Sequence, residues 1–204
     1  MLYAITDRRL YGADEAARRK RLLELTAAWA TQNVAFIQLR EKDLPVSRQV
    51  ELARAMLRQL GAGRTTRLLI NGRPDVALAS GADGVHLPSA PDALTPQEVR
   101  AIFAAVGCPQ VPYVSVSCHT LQEVAEARCH HADGILFAPV FEKRIDAQET
   151  VPGVGLQNLA EACRAAAPVP VFALGGVTAT NARQCIAAGA AGIAGIRLML
   201  DAPE

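Results

Sequence analysis

The stretch INGRPDVALASGADGVHLP, residues 70–88, decides the fold. One apolar run, Leu68 to Ile70, stops abruptly at Asn71-Gly72, and a second, GVHL, stops at Pro88-Ser89. Between them Pro74 opens a short helix-compatible piece, since proline is preorganised for a first helical turn. Two continuous apolar runs joined through one helix form the unit from which parallel sheets are built.

Working outward, the same unit recurs. Apolar runs fall at 2–5, 34–39, 67–70, 84–87, 112–117, 134–137, 169–174 and 191–196, which makes eight. Their near-continuous apolarity predicts strands buried on both faces. Helical patterns alternate with them near 13–30, 45–60, 74–80, 95–106, 120–129, 156–166 and 181–188. In the second of these, Val46, Val50, Ala53 and Leu57 recur at spacings of three and four. The pieces TPQE (95–98) and TLQE (120–123) have the form of capping boxes. Strict alternation with eight strands predicts a (β/α)8 TIM barrel. Only RLMLDAPE follows the eighth run, so the last helix is expected to be short or absent. The whole chain, 1–204, reads as one domain, and the missing helix makes a homodimer a natural expectation.

Composition narrows the functional class. The chain has 204 residues, half of them hydrophobic, and a net charge of +1. That balance argues against a nucleic-acid surface. No apolar stretch approaches the roughly 20 residues of a membrane span, and the first residues lack a signal-peptide pattern, so the expected location is cytoplasmic. The five cysteines include no CxxC pair, which argues against a zinc site or a disulfide framework. No metal ligand set is expected.

TIM barrels carry their chemistry at the C-terminal strand ends. In IQLREK, residues 37–42, alternation places Gln38, Arg40 and Lys42 on one side, a set suited to gripping an oxyanion or phosphate. After the seventh strand, Gly175 and Gly176 would let backbone N–H groups approach a phosphate. Gly195, Ile196 and Arg197 at the eighth strand end would complete that phosphate site. SVSCHT (115–120) places Ser117 and His119 at the end of strand five, where a histidine can move protons. His86, within strand four, reads as a satisfied interior side chain. Glu142, Lys143 and Arg144 read as solvated charges of a long loop.

With these motifs in hand the chain resembles the thiamine phosphate synthase/TenI family. The matching pieces are YAITD, FIQLREK, LLINGRPDVALASGADGVHLP, VSCHT, ADGILFAPVFE, VPVFALGGVTATN and AGAAGIAGI, in family order across nearly the whole length. The resemblance implies one of two activities. The synthase joins hydroxymethylpyrimidine diphosphate to thiazole phosphate, releasing pyrophosphate, with Mg²⁺ held by two aspartates. The TenI-like tautomerase moves a proton on a thiazole carboxylate phosphate without a metal. The synthase pattern has Asn-Asp-Arg after strand three, where this chain has Asn71-Gly72-Arg73. A Gln-Glu-Asp-like run is replaced by Ser89-Ala90-Pro91, and the phosphate loop after PVF has no counterpart in EKRIDAQET. Those departures lead to the expectation of a metal-independent thiazole tautomerase, with a small phosphorylated thiazole as substrate and no cofactor. In it His119 carries the proton, while Gln38, Arg40, Lys42, Asn71 and Ser117 contact substrate. The intact Gln38-Arg40-Lys42 signature points to the alternative, a Mg²⁺-dependent thiamine phosphate synthase with Asp75 or Asp92 covering for the lost ligands. A non-catalytic ligand-binding regulator is the third reading.

Overall fold

The computed structural model describes residues 1–144 and 150–197. Eight parallel strands close into a barrel: β1 (Leu2–Ile5), β2 (Phe36–Leu39), β3 (Arg67–Asn71), β4 (Gly84–Leu87), β5 (Tyr113–Cys118), β6 (Gly134–Phe137), β9 (Val171–Ala173) and β10 (Gly192–Gly195). Around the closed order β1-β10-β9-β6-β5-β4-β3-β2, consecutive barrel strands lie side by side. The helices are α1 (Glu15–Thr31), α2 (Val46–Leu60), α3 (Pro74–Ser80), α4 (Pro96–Ala105), α5 (Leu121–Cys129), α6 (Gly155–Ala166) and α7 (Ala182–Ala187). This is the TIM barrel expected from the alternation. The expected short or missing last helix falls on 198–204, outside the described residues.

Local chemistry sets the boundaries. Thr95 and Glu98 form a complete capping box at α4, as do Thr120 and Glu123 at α5. Gly81 ends α3 in the left-handed conformation that glycine adopts at least cost. Two turns of the form Ala-Asp-Gly enter strands in the same way. Asp83 accepts the N–H of Leu68 at 2.7 Å before β4, and Asp133 accepts that of Val114 at 2.7 Å before β6. Each carboxylate thus satisfies the N–H of the second residue of the neighbouring strand. The glycine that follows has no room for a side chain: a Cβ on Gly134 would sit 2.5 Å from the Tyr113 hydroxyl oxygen.

Two departures from the sequence reading bear on the rim. Within the stretch read as a long loop, β7 (Lys143–Arg144) and β8 (Thr150–Val151) pair as an antiparallel ribbon, and Glu142 before it is exposed. Strand β2 also ends at Leu39, so period-two alternation does not extend to Lys42. That residue lies in an exposed turn.

Alternation along the strands sorts the core into two layers. Outward residues such as Ile37, Leu68, Ile70, Val85 and Val114 pack beneath the helices, as do Ile135, Phe137 and Val171 on the other side of the barrel. Inward residues fill the barrel. Tyr3, Ile5, Phe36, Leu69, Leu136, Phe172 and Ala194 form its apolar floor. Tyr3, Phe36 and Phe172 meet with ring centroids 5.3–5.6 Å apart, and Tyr113 joins Phe36 at 4.7 Å. Such aromatic pairs add to the area they bury. Above this floor the inward positions turn polar: Gln38, Asn71, His86, Ser115 and Ser117.

Phe172 is fully buried at the centre of the aromatic floor. Phe172→Ala is expected to lower unfolding free energy by about 3–5 kcal/mol, measured by urea denaturation, because transfer and cavity costs add. A loss below about 1 kcal/mol would mean the floor collapses freely and is not a packed layer.

Candidate functional site at the strand ends

The polar inward positions converge at the C-terminal mouth of the barrel. Gln38 is 2% exposed, on β2, and its Nε2 donates to Asn71 Oδ1 on β3 at 2.8 Å. Its other amide atom, Oε1, is buried and has no hydrogen-bond partner among the described residues. A buried acceptor without a donor is costly, and such groups in native proteins call for an explanation. Arg40 lies just beyond β2, half-buried, and its backbone N–H donates to Thr6 Oγ1 at 3.0 Å.

Thr6 belongs to a buried hub that sequence reasoning missed. Its hydroxyl donates to Glu41 Oε1 at 2.6 Å. Glu41 also accepts the Arg8 backbone N–H at 3.0 Å and the Arg8 guanidinium at 3.0 Å. The same guanidinium binds both oxygens of Asp43, at 2.7 and 2.8 Å, and Glu15 at 2.8 Å. Asp43 foremost, then Glu15 and Glu41, hold Arg8 firmly charged against its burial. Burial pushes the Glu41 carboxyl above the ordinary range, with the Thr6 and Arg8 hydrogen bonds pulling against it. Glu41 was hidden because it alternates with Gln38 and Arg40, and only its neighbours looked like ligand groups.

His86 is the expected interior histidine. It sits between two serines, Nδ1 at 2.9 Å from Ser115 Oγ and Nε2 at 2.9 Å from Ser117 Oγ. Ser115 Oγ is also 3.0 Å from the Tyr3 hydroxyl. Burial first, and the nearby Arg40 charge second, press the His86 pKa down to about 3. His119 differs. It is exposed at the end of β5, and its Nδ1 lies 2.7 Å from the Ala138 carbonyl oxygen. A carbonyl only accepts, so Nδ1 carries the proton and Nε2 of the neutral ring keeps its lone pair. Glu123 accepts the backbone N–H groups of His119 and Thr120 and the hydroxyl of Ser89, at 2.6 Å, tying the ends of β4 and β5 together. Ser117 and His119 therefore both belong to the mouth.

The remaining expected residues lie on the opposite side of the rim. Gly175 and Gly176 follow β9 with φ of +88° and +63°. A Cβ on Gly175 would fall 2.6 Å from Pro139, and one on Gly176 2.8 Å from Phe141 Cβ. Phe141 N–H donates to the Gly175 carbonyl at 3.0 Å and Asn181 Nδ2 to that of Gly176 at 3.0 Å. Close approach of the segment after β6 accounts for both glycines without a ligand. Gly195 is buried at the end of β10, Ile196 is half-buried and Arg197 exposed. Since β9 and β10 are neighbours, these five residues do share one stretch of rim.

Among the described residues at the ends of β3 and β4, the divalent cation implied by the synthase resemblance finds no fitting donors. Mg²⁺ favours carboxylate oxygens in near-octahedral order. At the ends of β3 and β4 stand Asn71, Gly72 with φ +65°, and Ser89. Asp75 is bound through both oxygens by Arg73, which holds its carboxyl below the usual range, and Asp92 is exposed. Among the described residues no three His, Cys, Asp or Glu side chains gather as a metal site. None of the described helices is long and apolar enough to cross a membrane.

Because His86 titrates near pH 6.5 when unfolded and near 3 when folded, protonation favours the unfolded chain between those values. Stability should therefore rise with pH from about 3 to 6.5, with this residue contributing at most about 1.4 kcal/mol per pH unit. Denaturant titrations at pH 4, 5 and 7 should show a flatter profile for His86→Gln than for the parent chain. Parallel profiles would place the buried proton elsewhere.

Comparison with known proteins gives a consistent result. A family profile described as thiamine monophosphate synthase matches residues 2–199. A putative thiamine-phosphate synthase of Geobacter sulfurreducens is 40% identical over 203 residues, covering 100% of this chain and 88% of that one. A second, from Aquifex aeolicus, named putative thiamine-phosphate synthase 2, is 36% identical, covering 98% and 97%. The thiamine-phosphate synthase of Roseiflexus castenholzii is 33% identical, covering 100% and 82%. Among solved structures, thiamine phosphate pyrophosphorylase from Pyrococcus furiosus superposes with a TM-score of 0.76 at 30% identity, covering 96% and 85%.

Proposed function

This chain belongs to the thiamine monophosphate synthase family, and from that premise we propose that it joins hydroxymethylpyrimidine diphosphate to thiazole phosphate, releasing pyrophosphate. This reverses the order of preference drawn from the sequence, where the tautomerase came first. The names of the relatives favour the joining reaction, and so does one feature of the mouth.

That feature is the Gln38–Asn71 amide pair. With one Gln38 Nε2 hydrogen bound to Asn71 Oδ1, the pair presents the unpartnered acceptor Gln38 Oε1 together with amide donors, Asn71 Nδ2 among them. An aminopyrimidine edge offers the complement, an exocyclic amine beside a ring nitrogen. A thiazole carboxylate has no N–H to satisfy the orphaned Gln38 oxygen. Sites built around buried polar groups discriminate strongly against ligands that leave them unpaired.

In this reading the pyrimidine lies over Gln38 and Asn71, with its diphosphate toward Arg40. The bond from the pyrimidine methylene to oxygen breaks and its electron pair leaves with pyrophosphate. The thiazole nitrogen lone pair forms the new carbon–nitrogen bond, giving the thiazolium without any proton transfer. Arg40 stabilises the charge gathering on the departing group, the kind of preorganised electrostatic contact that contributes most to catalysis. The rim of Gly175, Gly176 and Gly195 would receive the thiazole phosphate, with Arg197 as an exposed cation just after β10 and Lys42 as a second in the turn after β2.

The second reading, thiazole tautomerase, keeps one specific observation in its favour. His119 Nδ1–H donates to the Ala138 carbonyl at 2.7 Å, which leaves Nε2 as the acceptor nitrogen of the neutral ring.

Incubation with both substrates and Mg²⁺ should yield thiamine phosphate by chromatography. Gln38→Ala is expected to lower kcat/KM by about tenfold to a hundredfold, the effect of losing a buried hydrogen-bonding group. No thiamine phosphate, together with aromatisation of the thiazole carboxylate phosphate tautomer that is abolished in His119→Ala, would establish the tautomerase instead.

A further inference from the structure

The buried chain of side chains behind Ser117 has a direction. Tyr3, Ser115 and His86 are all inside the barrel, at 1%, 0% and 3% exposure. Three contacts link them in series: Tyr3 Oη to Ser115 Oγ, Ser115 Oγ to His86 Nδ1, and His86 Nε2 to Ser117 Oγ. Each contact needs one proton, and its position follows from counting.

Three hydroxyl protons and one imidazole proton are available on a neutral histidine. In the first arrangement Tyr3 donates to Ser115, Ser115 donates to Nδ1, and Nε2–H donates to Ser117. Every buried proton then has an acceptor, and only the Ser117 hydroxyl proton remains, at the half-buried mouth end. In the reverse arrangement Ser117 donates to Nε2, Nδ1–H donates to Ser115, and Ser115 donates to Tyr3. The Tyr3 hydroxyl proton is then stranded among Phe36 and Phe172, where no described group accepts it. If Ser115 accepts from both Tyr3 and Nδ1–H, its own proton is stranded instead. An orphaned buried donor biases such an equilibrium by about tenfold or more. Protonating the imidazole does not rescue the alternatives, because burial and Arg40 keep His86 neutral at pH 7.

We propose that the Tyr3–Ser115–His86 chain locks Ser117 as a hydrogen-bond donor toward the mouth, so that it meets an anionic oxygen of the bound substrate. On the proposed synthase reading, that oxygen belongs to the diphosphate. Tyr3, Ser115 and His86 act through Ser117 and are positioning residues. Each link polarises the next, so the terminal hydroxyl is a better donor than an isolated serine. The arrangement delivers a donor into the mouth without delivering a charge, beside an arginine that already supplies one.

The test reads the histidine directly. In protein labelled with ¹⁵N-histidine, long-range ¹H–¹⁵N spectra at pH 7 should show His86 neutral and protonated on Nε2. Adding inorganic pyrophosphate should move the His86 Nε2 resonance, and Ser117→Ala should abolish that shift and weaken pyrophosphate binding about tenfold by calorimetry. Tyr3→Phe, which keeps the ring in the aromatic floor, should preserve the tautomer and the fold while reducing the pyrophosphate-induced shift. A His86 protonated on Nδ1, or a shift that survives Ser117→Ala, overturns the relay. Failure of the parent protein to bind pyrophosphate, with His86 still protonated on Nε2, overturns the diphosphate as acceptor and with it the proposed function.

Discussion

The mouth depends on the contact between Arg8 and Glu41. It joins the segment after β1 to the segment after β2, at the seam where the β2 ladder has ended and Arg40 has lost strand pairing on that side. Glu41 is buried and could not remain a carboxylate there alone. Arg8 gives it a counter-charge, and Thr6 and the Arg8 backbone fill its remaining acceptor sites. Such a buried pair contributes little net stability, yet breaking it is expensive, because an uncompensated charge is left behind. What the pair contributes is position. Through Thr6 it fixes the Arg40 backbone, and it cancels a negative charge that would otherwise stand behind an anion-binding rim.

A second constraint is the gradient along the barrel axis. The inward side chains are aromatic and aliphatic at the floor and become amides, hydroxyls and a neutral imidazole toward the mouth. The floor supplies the packed layer, while the upper layer carries polar groups that only partly satisfy one another. The two layers meet at Tyr3, whose ring belongs to the floor and whose hydroxyl begins the polar chain. Burial raises the Tyr3 phenol far above its ordinary value, so it remains a donor at any physiological pH.

Most of the fold was legible because a parallel barrel writes itself in alternation. Strands buried on both faces are apolar throughout, and caps such as Thr95–Glu98 and Thr120–Glu123 mark helix starts within a residue or two. The short ribbon of β7 and β8 was not legible: two residues per strand is too short to show a period. Gln38, Arg40, Asn71, Ser117 and His119 were read as candidate site residues from their place at strand ends, and the structure places them at the barrel mouth. Lys42 was grouped with them by extending alternation past Leu39, where the chain has already turned. Gly175 and Gly176 were read as a phosphate cradle, and packing against Pro139 and Phe141 explains them equally well. Tyr3 and Glu41 stayed hidden because their roles lie in long-range contacts, 112 and 35 residues apart in sequence from Ser115 and Thr6 respectively.

The charge balance of the mouth links these observations. A departing pyrophosphate needs positive charge or strong donors close to its oxygens, and the described strand ends offer no carboxylate set to recruit a divalent cation. The chain instead concentrates its own cation and donors on one side: Arg40 anchored through Thr6, and Ser117 backed by His86. Arg40 acts on both, since its charge also helps keep His86 neutral. A charged imidazolium at that depth would donate from both ring nitrogens and leave the Ser115 or the Tyr3 hydroxyl proton stranded in the barrel. The positive charge that would suit Arg40 to an anion at the mouth also disfavours a charged His86, so the cation and the neutral hydrogen-bonded chain support one another.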